Sequence, residues 1–201
     1  MRNELIKAIE ANRGAFDVEL SSQAIERLAD FYEIVQRHNA LLHLVAPCSV
    51  EEFAIRHILE SLMLLEYLAD NARFADVGTG AGLPSIPCLI ARNDVTAVLI
   101  EGKEKKARYL EDALIALGLT HRATVVNKQF EEVREKVFDL VTCRALDRFT
   151  DKLPRLLRWA GDRKCVFFGG PSLREPLIRL KVSFEERLLP LSKQRFLFIT
   201  R

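Results

Sequence analysis

The stretch Asp76-Val77-Gly78-Thr79-Gly80-Ala81-Gly82-Leu83-Pro84 carries the densest chemical signal in this 201-residue chain. Glycine at every second position lets the backbone turn tightly and approach a ligand with no side chain in the way. A dinucleotide-binding turn needs G-x-G-x-x-G, with its last glycine letting the helix pack on the strand. Leu83 stands at that last position, which argues against a nicotinamide dehydrogenase. Asp76 ends the apolar run before the turn and can anchor either the turn or a ligand's amino group. Glu101 ends the next apolar run, roughly twenty residues on, where one carboxylate can accept from both hydroxyls of a ribose. Arg144 ends a later run, and its planar fork suits a carboxylate, a phosphate or the acceptor edge of a base.

These residues need strands behind them and helices ahead of them, and the pattern supplies both. Arg73–Val77, Val95–Ile100, Ala123–Val126, Val137–Cys143 and Lys164–Phe168 read as strands. Val95–Ile100 is almost wholly apolar, as a parallel strand buried on both faces must be. Helices are expected from about Pro84, over Lys103–Leu117 with Gly118 at its C-terminal end, over Lys152–Trp159 with Pro154 in its first turn, and over Ser172–Leu180. Val182–Leu189 and Arg195–Thr200, joined by a Pro190–Lys193 turn, read as an antiparallel hairpin edge. Upstream, Ser21 and Ser22 can cap a helix whose stripe is Ile25, Leu28, Tyr32 and Val35. Ser49 and Glu52 have capping-box spacing, and the helix that follows turns Phe53, Ile58, Leu62 and Leu65 inward and ends near Ala69-Asp70-Asn71. The expected fold is α/β: a three-layer sandwich on a mostly parallel, seven-stranded sheet. Residues 1–70 form an N-terminal helical extension and 71–201 the core. Right-handed crossovers place a ligand at the carboxyl ends of the strands.

Composition narrows the class. Apolar residues are 49% and charged residues 29%, which fits a globular domain of ordinary size. No run approaches the ~18 apolar residues of a membrane span. The N-terminus lacks the apolar core of a signal peptide, so a cytoplasmic location is expected. Cys48, Cys88, Cys143 and Cys165 are scattered without C-x-x-C spacing, which disfavours a metal site or redox motif. A net charge of +2 means that an RNA partner would have to meet a local basic patch.

The D-x-G-x-G-x-G form resembles the turn of S-adenosylmethionine (AdoMet) enzymes, in which the loop cups an amino-acid-like tail and no diphosphate. On that reading the cofactor would meet Asp76, Gly78, Thr79, Gly80, Gly82 and Leu83. Glu101 would hold the ribose, and Phe130 and Glu131 would flank the adenine. Three further pieces narrow the resemblance: Arg56-His57-Ile58-Leu59-Glu60-Ser61, then Ile86-Pro87 after the turn, and Arg144-Ala145 after Phe138-Asp139. With them the chain, from about residue 25 onward, resembles the bacterial 16S ribosomal RNA guanine-N7 methyltransferases, the glucose-inhibited division protein B family.

The resemblance implies an AdoMet-dependent (class I) methyltransferase core. It also implies, as substrate, a guanine N7 in small-subunit ribosomal RNA or an assembling ribosomal particle. Family cofactor contacts map onto Gly78, Leu83, Phe130, Glu131 and Arg144, and Arg144 is the catalytic candidate. Asn39, His57 and Arg148 are the substrate-side candidates. The chain departs from the family's usual residues at several polar positions. His43-Leu44-Val45 stands for N-L-T, Cys143 for the Ser of S-R-A, Gln129 for an Arg, and Gly169 for a Lys. An alternative is therefore a same-fold enzyme acting on another RNA or a small molecule, or a non-catalytic AdoMet- or RNA-binding relative.

Guanine N7 has an in-plane lone pair and no proton, so methyl transfer needs no general base and rests on positioning and electrostatics. Basic candidates for RNA phosphates are Lys103, Lys105, Lys106 and Arg108, then Arg144, Arg148, Lys152, Arg155 and Arg158. Asp139 is expected to orient backbone rather than do chemistry. No metal is expected, and a monomer is favoured.

Overall fold

The computed structural model describes residues 1–134, 137–144 and 146–200; Ala145 of the Arg144-Ala145 pair lies outside them. Helices α1 (Arg2–Asn12) and α2 (Ser22–Leu42) are followed by a helical rod, α3, over residues 50–67. Then come β1 (Arg73–Val77), α4 (Ser85–Ala91), β2 (Thr96–Ile100), α5 (Glu104–Ala116) and β3 (Ala123–Val126). The chain continues through β4 (Leu140–Arg144), α6 (Phe149–Ala160), β5 (Lys164–Gly169), α7 (Arg174–Arg179), β6 (Phe184–Leu188) and β7 (Phe196–Thr200).

The strands form one sheet in the order β3-β2-β1-β4-β5-β7-β6. β1 to β5 pair in parallel, and β7 runs antiparallel to both of its neighbours. Side chains alternate across a strand, so each strand feeds two cores. Phe74, Leu99, Leu140, Val166, Phe168 and Leu197 face α1 to α5 in one apolar cluster. Val77, Ile100, Val141, Cys143, Phe167 and Phe198 face α6 and α7 in the other. The N-terminal helices thus share a continuous core with one face of the sheet. After β1 the sequence moves outward one way through β2 and β3, and after β4 the other way through β5. The switch point is the gap between the carboxyl ends of β1 and β4, where an open parallel sheet offers a crevice.

Local chemistry explains two of the helix starts. The Ser21 hydroxyl accepts from the Ala24 N–H to start α2, and Ser49 and Glu52 form a reciprocal capping box at the start of α3. Helix α3 differs from the single α-helix expected. Residues Ala54–Leu59 take wide π-type turns, Glu60–Leu62 return to α, and Met63–Tyr67 tighten to 3₁₀. A wide turn inserts extra backbone and rotates the side chains that follow, and such turns are frequent at functional sites.

Helix α6 begins at Phe149 rather than Lys152, so Pro154 falls in its second turn. Arg148, in the left-handed region at φ 52°, offers its carbonyl to the N–H groups of Asp151 and Lys152. β4 starts at Leu140 rather than Val137, because Asp139 is committed to Arg73. The Arg73 N–H donates to the Asp139 carboxylate at 2.8 Å, and the Asp139 N–H to the Arg73 carbonyl at 2.7 Å. The helix expected over Ser172–Leu180 is a 3₁₀ turn, Pro171–Leu173, leading into α7.

Candidate active site

The glycine turn leaves β1 at the switch point with Gly78, Gly80 and Gly82 all at positive φ, 70°, 56° and 87°. Their surroundings differ. A Cβ on Gly82 would lie 2.4 Å from Ile86 Cδ1 and one on Gly78 2.6 Å from Leu146 Cδ1, so both are held by close packing. A Cβ on Gly80 would meet nothing closer than the Gly78 carbonyl at 3.8 Å. The turn is anchored from beneath. Asp76 is fully buried, and its Oδ2 accepts from the Thr79 and Ser85 hydroxyls, both at 2.6 Å. Burial pushes its carboxyl up to about 7, against those hydrogen bonds and with the Glu101 charge adding to the rise. Asp76 therefore acts on the turn, while Gly78, Thr79, Gly80 and Leu83 line a cleft of about 540 Å³ above it.

Glu101 faces the same cleft from the end of β2. Its two oxygens accept from the Gly80 N–H at 3.0 Å and the Lys103 N–H at 2.9 Å, and a carboxylate keeps further lone pairs for a ligand. Phe130, nearly buried, closes the far end and stacks edge-on against Trp159. Glu131 points elsewhere and pairs with Arg155 at 3.5 Å. Gln129 takes the place next to Phe130 in the lining, and a Cβ on Gly102 would collide with it at 2.2 Å. Lys103, Lys106, Lys128 and Lys152 contribute to the walls.

The loop after α2, Leu44 to Ala46, forms another wall. Asn39 does not line the cleft. Its Oδ1 accepts from the Val45 N–H at 2.9 Å and so holds that loop, while Lys106 Nζ donates to the His43 carbonyl at 3.3 Å. Arg148 is exposed, pairs with Asp151 at 2.9 Å and lines neither cavity described here.

A second chamber, about 480 Å³, adjoins the first and shares His57, Arg144 and Leu146 with it. Its walls include the Phe149 and Phe168 rings, Gly169, Gly170 and Leu173. Three cations reach it, Arg56, Arg144 and Arg195, against one carboxylate, Glu60. Arg144 Nη2 donates to the Arg56 carbonyl and to Glu60 Oε2 at 3.1 Å, and its guanidinium lies over Phe168, 5.3 Å from the ring centre. Arg144 Nη1 is buried with no hydrogen-bond partner. His57 packs edge-on to Phe53. Burial, with the charges of Arg144, Arg56 and Arg195, pushes its imidazole down to about 3, so it stays neutral at physiological pH.

Of the residues singled out in the sequence, Arg144, His57 and most of the glycine turn line the chambers; Glu60, Arg56 and Arg195 line the second without having been singled out. Glu60 and Arg56 stood inside the quoted R-H-I-L-E-S stretch. Arg195 had no local signal at all. Chemically, the arrangement is an open backbone cradle with a carboxylate at its edge, joined to a cation-rimmed chamber with aromatic walls.

Comparison with known proteins gives a consistent picture. The model of the family described as rRNA small subunit methyltransferase G (GidB) matches residues 24–163. A protein of Actinobacillus pleuropneumoniae named ribosomal RNA small subunit methyltransferase G is 35% identical over 151 residues, 75% of this chain and 71% of that one. Its namesake in Halorhodospira halophila is 33% identical over 185 residues, 90% of this chain and 87% of that one. Among solved structures, a SAM-dependent methyltransferase from Aquifex aeolicus superposes with a TM-score of 0.60 at 16% identity. It covers 85% of this chain and 97% of that one, a likeness of fold.

Proposed function

The chain belongs to the rRNA small subunit methyltransferase G family, and on that premise we propose that it is an AdoMet-dependent methyltransferase of N7 of a guanine in small-subunit (16S) ribosomal RNA. The observation that carries the reading is the seam between the chambers. The Arg56–Ser61 stretch, which distinguishes this family from other AdoMet enzymes, meets Arg144 there, beside the glycine cradle. Residues 71–201 act as the methyltransferase core, and residues 1–70 supply part of the wall of both chambers.

The first chamber suits the cofactor on three counts. Its floor is open backbone at Gly80, its Glu101 carboxylate stands where a ribose would lie, and Arg144, whose Nη1 is buried without a partner, belongs to its lining. A volume of about 540 Å³ is ordinary for a ligand of that size. When bound, AdoMet supplies an electrophilic methyl on a sulfonium. Gly78 and Gly80 would admit its amino-acid tail, Phe130 would pack beside the adenine, and Arg144 would stand between cofactor and substrate. The Phe149 and Phe168 rings and the arginines of the second chamber receive the base.

Among the described residues no pair of groups is arranged as general acid and base in the second chamber, and N7, which carries no proton, needs none. The chain's contribution is to hold the base in line and keep water out. Folded RNA must present an unstacked guanine to reach such a chamber, so a loop or an assembly intermediate is the expected form. Among the described residues no helix is long and apolar enough to cross a membrane, and ribosome assembly places the work in the cytoplasm.

The test is transfer of labelled methyl from AdoMet to small-subunit rRNA lacking its N7 methyl, with the site found by cleavage at N7-methylguanine. One labelled guanine supports the reading. AdoMet binding with no label on either naked RNA or particles overturns it. Lys103, Lys106, Lys128 and Lys152 line the cleft, so turnover on RNA should fall steeply with added salt. Each lysine that meets a phosphate should reduce the log–log slope by about one when changed to alanine.

A further inference from the structure

Glu60 is the most deeply buried charge at the seam, with its side chain 1% exposed. Both of its oxygens are committed. Oε2 accepts from Arg144 Nη2 at 3.1 Å, and Oε1 accepts from Arg195 Nε at 2.5 Å. The two arginines come from opposite sides of the second chamber, Arg144 at the end of β4 and Arg195 just before β7. Side-chain exposures of 13% and 33% leave each a path to the chamber. Glu60 itself stands at the first α-helical position after the wide turn of α3. One buried carboxylate therefore ties together three segments separated by 84 and 135 residues in sequence.

We propose that Glu60 is a positioning residue for methyl transfer, fixing Arg144 and Arg195 as a rigid pair on the wall of the second chamber. The proposal rests on the reading above and adds what orients its substrate side. Two like charges that share a wall repel, and a long arginine has many rotamers. A carboxylate between them removes both problems before substrate arrives, so their N–H groups need no reordering during the reaction. The pairing leaves Nη1 of Arg144, a residue that lines both chambers, without a partner. As a purely stabilising element the arrangement is poor, because a buried charge cluster gains little over apolar packing.

Glu60 also matters to charge balance. Methylation at N7 turns a neutral guanine into a cation, inside a chamber that already holds three arginines. Among the described residues Glu60 is the single acid in that lining, so it offsets part of the positive charge there.

The variant Glu60→Gln keeps the shape and one acceptor oxygen and removes the charge. Its kcat on 16S rRNA should fall about 100-fold, as expected when a reacting group is misplaced. KM for RNA and the affinity for S-adenosylhomocysteine should stay within about twofold, because the cradle is untouched. Arg195→Lys keeps a charge but loses the fork. It should reproduce the kcat loss and serves if Glu60→Gln does not fold.

A second readout does not depend on turnover. The side-chain Nε–H signals of Arg144 and Arg195 should be ordered in the wild-type protein and averaged by motion in Glu60→Gln. Wild-type turnover in Glu60→Gln, or equal arginine mobility in both proteins, overturns the proposal. A loss of S-adenosylhomocysteine affinity and melting temperature in step with kcat would make Glu60 a structural ion pair and also overturn it. If the wild-type protein leaves 16S rRNA unmethylated, the functional reading fails, and the arginine signals still decide the role of Glu60.

Discussion

In the first chamber the floor is backbone, contributed by one continuous strand–turn–helix. Gly78, Gly80 and Gly82 set its shape, and Asp76, Thr79 and Ser85 brace it within a span of ten positions. In the second chamber the parts that matter are side chains drawn from the whole chain: Arg56 and Glu60, Arg144, Phe168 and Arg195. A turn built from neighbours needs little help from the rest of the fold. A cluster of charges from distant segments exists only once the helical extension, β4 and β7 are docked together. One chamber is therefore expected to tolerate changes elsewhere, and the other to report on the whole assembly.

The largest effect should come from filling the cradle. Gly80→Val places a β-branched residue at φ 56° and puts its side chain in open cleft. Affinity for S-adenosylhomocysteine by calorimetry should drop below detection while the melting temperature moves modestly. Unchanged affinity would break the division between the chambers, because the turn would then not be the ligand's floor.

Next in size is Arg144→Ala. It removes the group common to both chambers but leaves Glu60 paired with Arg195. Turnover should fall by about two to three powers of ten, as for the loss of a fixed donor, with a smaller loss of S-adenosylhomocysteine affinity. Full turnover in a folded variant would reduce Arg144 to a structural ion pair.

The smallest effect is a pH dependence. His57 titrates near 3 in the folded protein against about 6.5 unfolded, because burial and three arginines oppose its charge. Below pH 6.5 the unfolded chain binds a proton that the folded one does not. Stability is therefore present above that value and is lost as the pH falls toward 3. His57→Asn should flatten urea-unfolding stability between pH 7 and pH 4 by an amount on the order of a few kcal/mol. An unaltered pH profile would mean that the seam is wetter than its burial indicates.

Much of the core was legible because its signals are local. β1 and β3 fall where the apolar runs placed them, the capping box at Ser49 forms, and β6 and β7 make the edge hairpin. The place of the turn followed from glycine spacing. What sequence pattern missed depends on partners far along the chain. The apolar stripe of α3 reads as an unbroken helix, and nothing in it announces the wide turn that carries Arg56 and His57 and precedes Glu60. Glu131 and Arg148 line neither chamber, and each pairs with a neighbouring charge that its position in the sequence does not announce. Asn39 acts on the wall through the Val45 N–H rather than from the wall itself.

By itself the sequence determined the layered α/β fold, the cradle and its carboxylate, because alternation, helical periodicity and glycine spacing are properties of neighbours. Only the tertiary structure decided how the second chamber is assembled. The burial that neutralises His57, and the contact of Glu60 with arginines 84 and 135 residues away, arise when separate segments exclude water together. No local pattern encodes that exclusion.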